Sequence, residues 1–233
     1  YTLLSMVDAE ERSVFTLEDP IEYRLPLIRQ TQIKDEIGLS FANGLRTLLR
    51  QDPDVILVGE TRDQITAELM IRAALTGHLV FSTLHTNDAI SAVPRLKDLG
   101  IPSYLLSSSL IGLSAQRLAR RLCPVCKSEE SLRPDAWLAL GGDPRETNVT
   151  VYKAVGCQAC SQKGYNGRIS LAEIIRIDSD LRKQIDDLVP TSQLKRYLYE
   201  QGAVLMRKDG LLKAEAGLTS IEEVGRVIQL EAH

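Results

Sequence analysis

The run Asp54-Val-Ile-Leu-Val-Gly-Glu60 constrains the fold more than any other stretch of the chain. Consecutive aliphatic residues bounded by turn formers read as a short strand buried on both faces. The neighbouring segments supply the layers such a strand needs. Ser13–Leu17 reads as a strand that Glu18-Asp19-Pro20 terminates, and Arg29–Ile33 as a further short strand. Phe41, Leu45, Leu48 and Leu49 recur at helical spacing, and Gln51-Asp52-Pro53 breaks that helix. Ile65–Leu75 reads as a helix closed by Thr76-Gly77, and His78–Leu84 as the next strand. Asn87-Asp88 is positioned to cap a helix kinked at Pro94, and a long helix is expected from Ser103 to Arg121. This alternation predicts an α/β layer with a mainly parallel sheet over residues 1–122.

The texture changes at Cys123. The four cysteines stand as Cys123-Pro-Val-Cys126 and Cys157-Gln-Ala-Cys160. In an oxidising compartment they could pair as disulfides; in a reducing one a tetrahedral thiolate zinc site is the better reading. The stretch between the pairs is loop-rich and longer than in a compact zinc ribbon. Residues 123–168 are therefore expected to form a small metal-stapled module, and residues 169–233 a helical subdomain. In the latter, Leu181, Ile185 and Leu188 share a face, Leu194 and Leu198 follow Thr191, and Thr219-Ser-Ile-Glu222 reads as a capping box.

Bulk properties exclude some functions. The formal charge is −3, which argues against a broad nucleic-acid surface. No apolar run approaches the roughly 20 residues of a membrane span. The start lacks both a signal-peptide pattern and an initiator Met, so a piece of a longer chain is expected.

Candidate chemistry gathers at the ends of the expected strands. Glu60 follows a buried strand directly, where open α/β sheets bind ligands and where a nucleotide hydrolase meets magnesium or orients water; an apolar run before Gly-Glu is common, and by itself it reads better as a solvated loop glutamate. Glu18, Asp19 and Glu22 repel one another and are easier to hold beside a divalent cation, although taken alone the stretch reads better as an acidic turn. His85, beside Thr83 and Thr86, is placed to touch a phosphate, whereas His78 suits a structural hydrogen bond. Arg24, Arg46, Arg50 and Arg62 flank these groups as candidate phosphate ligands, although surface charge or salt bridging is the better reading of any single one of them. No G-x-x-x-x-G-K-[ST] loop and no Gly-Lys pair occurs in the chain.

Taken together, these stretches resemble the C-terminal part of the ATPases that drive type II secretion and type IV pilus assembly. Thr16–Glu22 resembles that family's aspartate box. Asp52–Asp63 resembles its atypical Walker B motif, with Gly59 in place of the usual Asp, and Ala74–Asn87 resembles its histidine box. The paired cysteines, followed by Gly164-Tyr-Asn-Gly-Arg168, resemble the zinc module of the assembly and secretion branch. The resemblance implies a RecA-like, mainly parallel sheet flanked by helices, truncated after the Walker A loop, with a zinc module and a C-terminal helical subdomain. It implies Glu60, Glu18, Glu22 and His85 as catalytic residues, Arg24, Arg46, Arg50 and Arg62 as nucleotide ligands, and Cys123, Cys126, Cys157 and Cys160 as zinc ligands. ATP and Mg²⁺ are its expected cofactors. The parent would be a cytoplasmic homohexamer, peripheral to the inner membrane through platform and cytoplasmic-linker proteins, with no nucleic-acid partner. The fragment itself is expected to be inactive. Two other readings stay open: a zinc-stabilised module that docks an inner-membrane partner without catalysis, and a magnesium-dependent phosphohydrolase of another class.

Overall fold

Val55, Ile56 and Val58 are fully buried, and the strand they form lies inside a parallel sheet. The computed structural model describes residues 1–132, 134–145 and 149–229. Strands β1 (Val14–Glu18) and β2 (Arg29–Gln32) precede helix α1 (Phe41–Leu48). Strand β3 (Val55–Val58), helix α2 (Gln64–Leu75) and strand β4 (Leu79–Ser82), parallel to β3, form one crossover unit. Helices α3 (Ala92–Asp98) and α4 (Ser103–Ser109) lead into β5 (Gly112–Leu122). Then come β6 (Ser128–Ser131), α5 (Pro134–Ala139), β7 (Thr150–Lys153) and β8 (Tyr165–Arg176). Helices α6 (Ser179–Asp186), α7 (Thr191–Glu200), α8 (Met206–Glu215) and α9 (Ile221–Gln229) follow.

The chain divides into two compact units. The first holds Tyr1–Thr86, Ala92–Ile111 and Asp178–Val189. Its sheet has the order β2-β1-β3-β4, all parallel. Leu17, Leu45, Ile56, Val58 and Met70 pack in one cluster, and Leu4, Val14 and Val55 in another. Capping fixes the helix starts. The Ser40 hydroxyl accepts from the Asn43 N–H at 3.3 Å, and Asp63 accepts from the Thr66 N–H at 2.9 Å. Gly44 lets α1 settle on β1, since a Cβ there would lie 2.9 Å from Leu17 Cδ2. Helix α6 joins this unit through Arg182, which donates to the Ser107 carbonyl.

The second unit holds Asn87–Ser91, Gly112–Ile177 and the chain from Pro190 on. Its centre is the antiparallel ribbon of β5 and β8. Ala119 and Leu171 from the ribbon pack with Trp137, Val151, Met206, Leu211, Val224 and Val227. Thus the cysteine region, the ribbon and the last helices share one core, along different lines from the three consecutive segments expected from the sequence.

Three expectations are corrected. The long helix over 103–121 ends at Ser109, and β5 begins at Gly112. From Gly112 to Ala119, exposed residues alternate with more buried ones, the period of a strand rather than a helix. A register shift between Arg120 and Leu122 then leaves two successive arginines exposed. Residues 169–176 are likewise strand, not helix, with Leu171, Glu173 and Ile175 turned inward. The last helix also starts differently. Ser220, not Thr219, accepts the Glu223 N–H at 3.2 Å, and Thr219 instead donates to the Arg120 carbonyl at 2.9 Å.

Candidate functional site

Parallel pairing sets the geometry. Leu17 lies opposite Val58, and Val58 opposite Ser82, so the C-terminal ends of β1, β3 and β4 form one edge. Glu18, Glu60 and His85 come from those three ends. This is the edge at which open α/β sheets bind ligands.

Gly59 makes the edge tight. Its N–H donates to the Leu17 carbonyl at 2.7 Å, and a Cβ at this position would lie 3.0 Å from that oxygen and 3.3 Å from Glu18 Cα. A side chain here would press β3 away from β1, which accounts for glycine just before the acid. On the other side, the Thr83 hydroxyl donates to the Gly59 carbonyl at 2.6 Å, and the Thr61 N–H donates to the Thr83 carbonyl at 3.0 Å. The turn carrying Glu60 is therefore held from both flanks.

Glu60 has a side chain 12% exposed. One carboxylate oxygen pairs with Arg62, and the other lies 3.3 Å from His85 Nε2. Pairing with Glu60 raises the Arg62 guanidinium above its ordinary value. Glu18 is 4% exposed and accepts from three donors: the Thr16 hydroxyl, the Tyr1 hydroxyl and the Gln30 amide, the last at 3.0 Å. The Tyr1 hydroxyl also accepts the Glu22 N–H at 3.2 Å, so it spans both ends of the acidic stretch. Burial, then the bond to Glu18, raise the Tyr1 phenol.

The edge thus brings together Glu18, Glu60, His85 and Arg62. Glu22 and Arg24 are exposed on the loop after β1. Arg46 donates to Asn43 on its own helix at 3.1 Å, and Arg50 is exposed just past that helix. The His78 ring lies 2.8 Å from the Ala73 carbonyl, closing the end of α2. The direct Glu60–Arg62 pair escaped the sequence reading; an acid and an arginine two residues apart after a strand were its only signal.

In the second unit, the cysteine sulfurs all lie within 4.8 Å of one another. Cys123–Cys157 is 3.9 Å, Cys126–Cys160 3.8 Å and Cys157–Cys160 3.8 Å. Zinc–sulfur bonds of about 2.3 Å in a tetrahedron place sulfurs about 3.8 Å apart, so the spacing fits zinc. It is far too long for disulfides, whose sulfurs lie about 2.05 Å apart. Backbone N–H groups point at the sulfurs: Gly156 at Cys126 (3.3 Å), and Cys157 and Gly164 at Cys160 (both 3.2 Å). Burial pushes the Cys160 thiol up, but those two N–H donors outweigh it and bring it down to about 6. Burial pushes Cys126 up to about 11. Four sulfurs this close cannot all ionise without a cation among them.

Parallel strands flanked by helices, with carboxylates at the strand ends, place the chain in the class of α/β ATPase folds. The crystal structure of the pilus retraction motor PilT with bound ADP superposes with a TM-score of 0.64 at 29% identity, covering 92% of this chain and 52% of that one. The Legionella pneumophila ATPase DotB superposes with a TM-score of 0.63 at 24% identity, covering 96% of this chain and 52% of that one, and bears on the fold alone. The chain belongs to the Type II/IV secretion system protein family, whose sequence model matches residues 1–226. It is 45% identical over 231 residues to the type II secretion system protein E of Pseudomonas aeruginosa, covering 99% of this chain and 46% of that protein. It is 42% identical over 225 residues to the type IV pilus assembly ATPase PilB of Thermus thermophilus, covering 96% of this chain and 25% of that protein. The chain spans less than half the length of these curated relatives.

Proposed function

We propose that these residues are the part of a secretion or pilus-assembly motor ATPase that positions water and metal at the γ-phosphate. The observation carrying this reading is the shared edge of β1, β3 and β4, which supplies Glu18, Glu60 and His85 from adjacent parallel strands. Mg²⁺, when bound with ATP, supplies charge to offset the β- and γ-phosphate oxygens. Glu60 is the residue to hold that ion or its water, and His85 beside it is the group to sense the γ-phosphate. Binding there requires Glu60 to trade its pairing with Arg62 or His85 for the ligand. Arg62, once released, becomes a phosphate donor on the same edge.

Glu18 or Glu22 polarises the attacking water. Glu18 has the better placement and the more crowded carboxylate; Glu22 has an exposed side chain on the loop after β1. Arg24, Arg46 and Arg50, all exposed, are free to reach a phosphate in a neighbouring subunit of a hexamer. The motor is cytoplasmic and works against an inner-membrane platform and its cytoplasmic linker; among the described residues, no helix is long and apolar enough to cross a membrane. The cysteines hold a structural zinc. With no G-x-x-x-x-G-K-[ST] loop of their own, the 233 residues bind ATP poorly and do not turn it over.

Glu60→Gln tests the reading in the protein that joins these residues to a phosphate loop. The amide keeps the shape but loses the charge. Nucleotide affinity should stay largely intact, because phosphate loop and base pocket supply most of it. Turnover should fall by about 10²–10⁴. Steady-state hydrolysis beside equilibrium binding decides: wild-type turnover in this variant removes Glu60 from the catalytic set.

A further inference from the structure

Glu18 is buried, and its two oxygens are not held alike. Oε1 accepts two donors, the Thr16 hydroxyl and the Gln30 amide, the latter at 3.0 Å. Gln30 is itself locked: its amide also donates to the Tyr23 carbonyl at 3.2 Å, and its oxygen accepts the Leu25 N–H at 2.8 Å. A carboxylate oxygen offers two lone pairs, so Oε1 is saturated. Oε2 accepts one donor among the described residues, the Tyr1 hydroxyl. One acceptor position on Oε2 is therefore left for a water.

The Tyr1 hydroxyl is fixed in turn. It accepts the Glu22 N–H at 3.2 Å, so its single proton is directed at Glu18. The ring packs against the cluster of Leu4, Val14 and Val55, and its centroid lies 4.2 Å from that of the Tyr23 ring. The Tyr1 carbonyl accepts the Ser5 N–H at 2.9 Å. All of these residues belong to the first unit. Glu22, by contrast, meets Tyr1 through its backbone alone, and its side chain is exposed.

We propose that Tyr1 is a positioning residue for Glu18: its hydroxyl orients the carboxylate so that the open position on Oε2 meets the attacking water, which makes Glu18 and not Glu22 the acting base. The proposal rests on the reading above that one of these two acids polarises the water. As the water oxygen bonds to the γ-phosphorus, the bridging oxygen leaves with ADP and its electron pair, and one water proton passes to Oε2. Tyr1 keeps its own proton throughout.

Turnover is read in the protein that joins these residues to a phosphate loop. Tyr1→Phe keeps the ring and removes only the hydroxyl. It should lower kcat by about tenfold to a hundredfold, the worth of one hydrogen bond to a charged group, and leave KM for ATP within about twofold. In a Glu18→Gln background the same change should alter kcat by less than about twofold, because Tyr1 acts through that carboxylate. In a Glu22→Gln background it should cost as much as in the wild type. Tyr23→Leu removes the neighbouring ring but no hydroxyl, and should leave kcat near the wild-type value. A second readout needs neither turnover nor a Tyr1 variant. In the 233-residue protein the Tyr1 ring carbon that bears the hydroxyl is followed by carbon NMR after backbone assignment. Glu18→Gln should shift that signal, and Glu22→Gln should leave it in place. Should Tyr1→Phe fail to fold, this signal alone decides. Wild-type turnover in Tyr1→Phe, beside a Glu18→Gln protein that has lost it, overturns the proposal and leaves the role of Glu18 standing. Wild-type turnover in Glu18→Gln removes Glu18 from the reading above and this proposal with it. A Tyr1 signal unmoved in Glu18→Gln, or an equal loss of kcat in Tyr23→Leu, also overturns it.

Discussion

Gly59 shows how one missing side chain organises the edge. Where many nucleotide hydrolases place a carboxylate, this chain places hydrogen and puts the acid one residue later, at Glu60. The reason is local: the Leu17 carbonyl stands where a Cβ would press, at 3.0 Å. Gly59→Ala should therefore cost about 1–3 kcal/mol, because a backbone carbonyl and not a flexible side-chain tip has to give. Urea unfolding of the first unit's sheet measures it; a change below a few tenths of a kcal/mol would mean that the strands part freely there. Glu60 was legible from the sequence because the buried run before it fixes its place at a strand end. Its pairing with Arg62 was not, since a loop's side-chain directions depend on how Thr61 and Thr83 are fastened. The arginines were the least legible group: four were candidates, and only Arg62 shares a contact with a strand-end acid.

At the scale of elements, β1, β3 and β4 could be read from runs of apolar residues bounded by Pro, Gly and acids, whereas β2, Arg-Gln-Thr-Gln, carries no such run. The β5–β8 ribbon could not be read that way. Leu113, Ala115, Leu118, Ala119 and Leu122 satisfy a helical spacing nearly as well as a strand's, and what makes them a strand is a partner some 50 residues on. The fastening of that ribbon was equally hidden. Glu223 on α9, its side chain fully buried, accepts the Arg120 N–H at 2.9 Å and pairs with Arg120 and Arg226 at 2.7 and 2.6 Å. Arg120 also lies over the Tyr165 ring at 4.1 Å. Burial pushes the Glu223 carboxyl up, but the bonds from Arg226 and Arg120 outweigh it and hold the group at about 2, against 4.5 ordinarily. A depressed carboxyl stabilises the fold above its unfolded value and loses that contribution as pH falls through the folded one. Glu223→Gln should thus cost about 2 kcal/mol at pH 7, trimmed by the half-exposed arginines. The gap to wild type should narrow from about pH 4.5 down toward pH 2. Denaturant midpoints of both proteins across that range give the answer, and a gap independent of pH would assign the loss to packing alone.

At the scale of the whole molecule, two cores imply two stabilities. The first unit rests on aliphatic packing around a parallel sheet; the second adds a cysteine cluster that joins Cys123 to Cys157 and Cys126 to Cys160, each pair 34 residues apart. A bound metal closes that long stretch at its base and removes chain entropy from the unfolded ensemble. It also supplies the positive charge that lets four thiolates share one site. Purified without chelator, the protein should carry one equivalent of zinc, released by a strong chelator or by acid as protons compete for sulfur. On release, the β6–β7 hairpin and the cysteine knuckles should lose amide protection. The strands β1, β3 and β4 should keep theirs, because Leu17, Ile56 and Val58 are packed by residues of the first unit. Metal analysis together with hydrogen exchange tests both halves. Zinc well below one equivalent would count against the site. Equal loss of protection in both units would show that the metal holds one cooperative structure and not one of two.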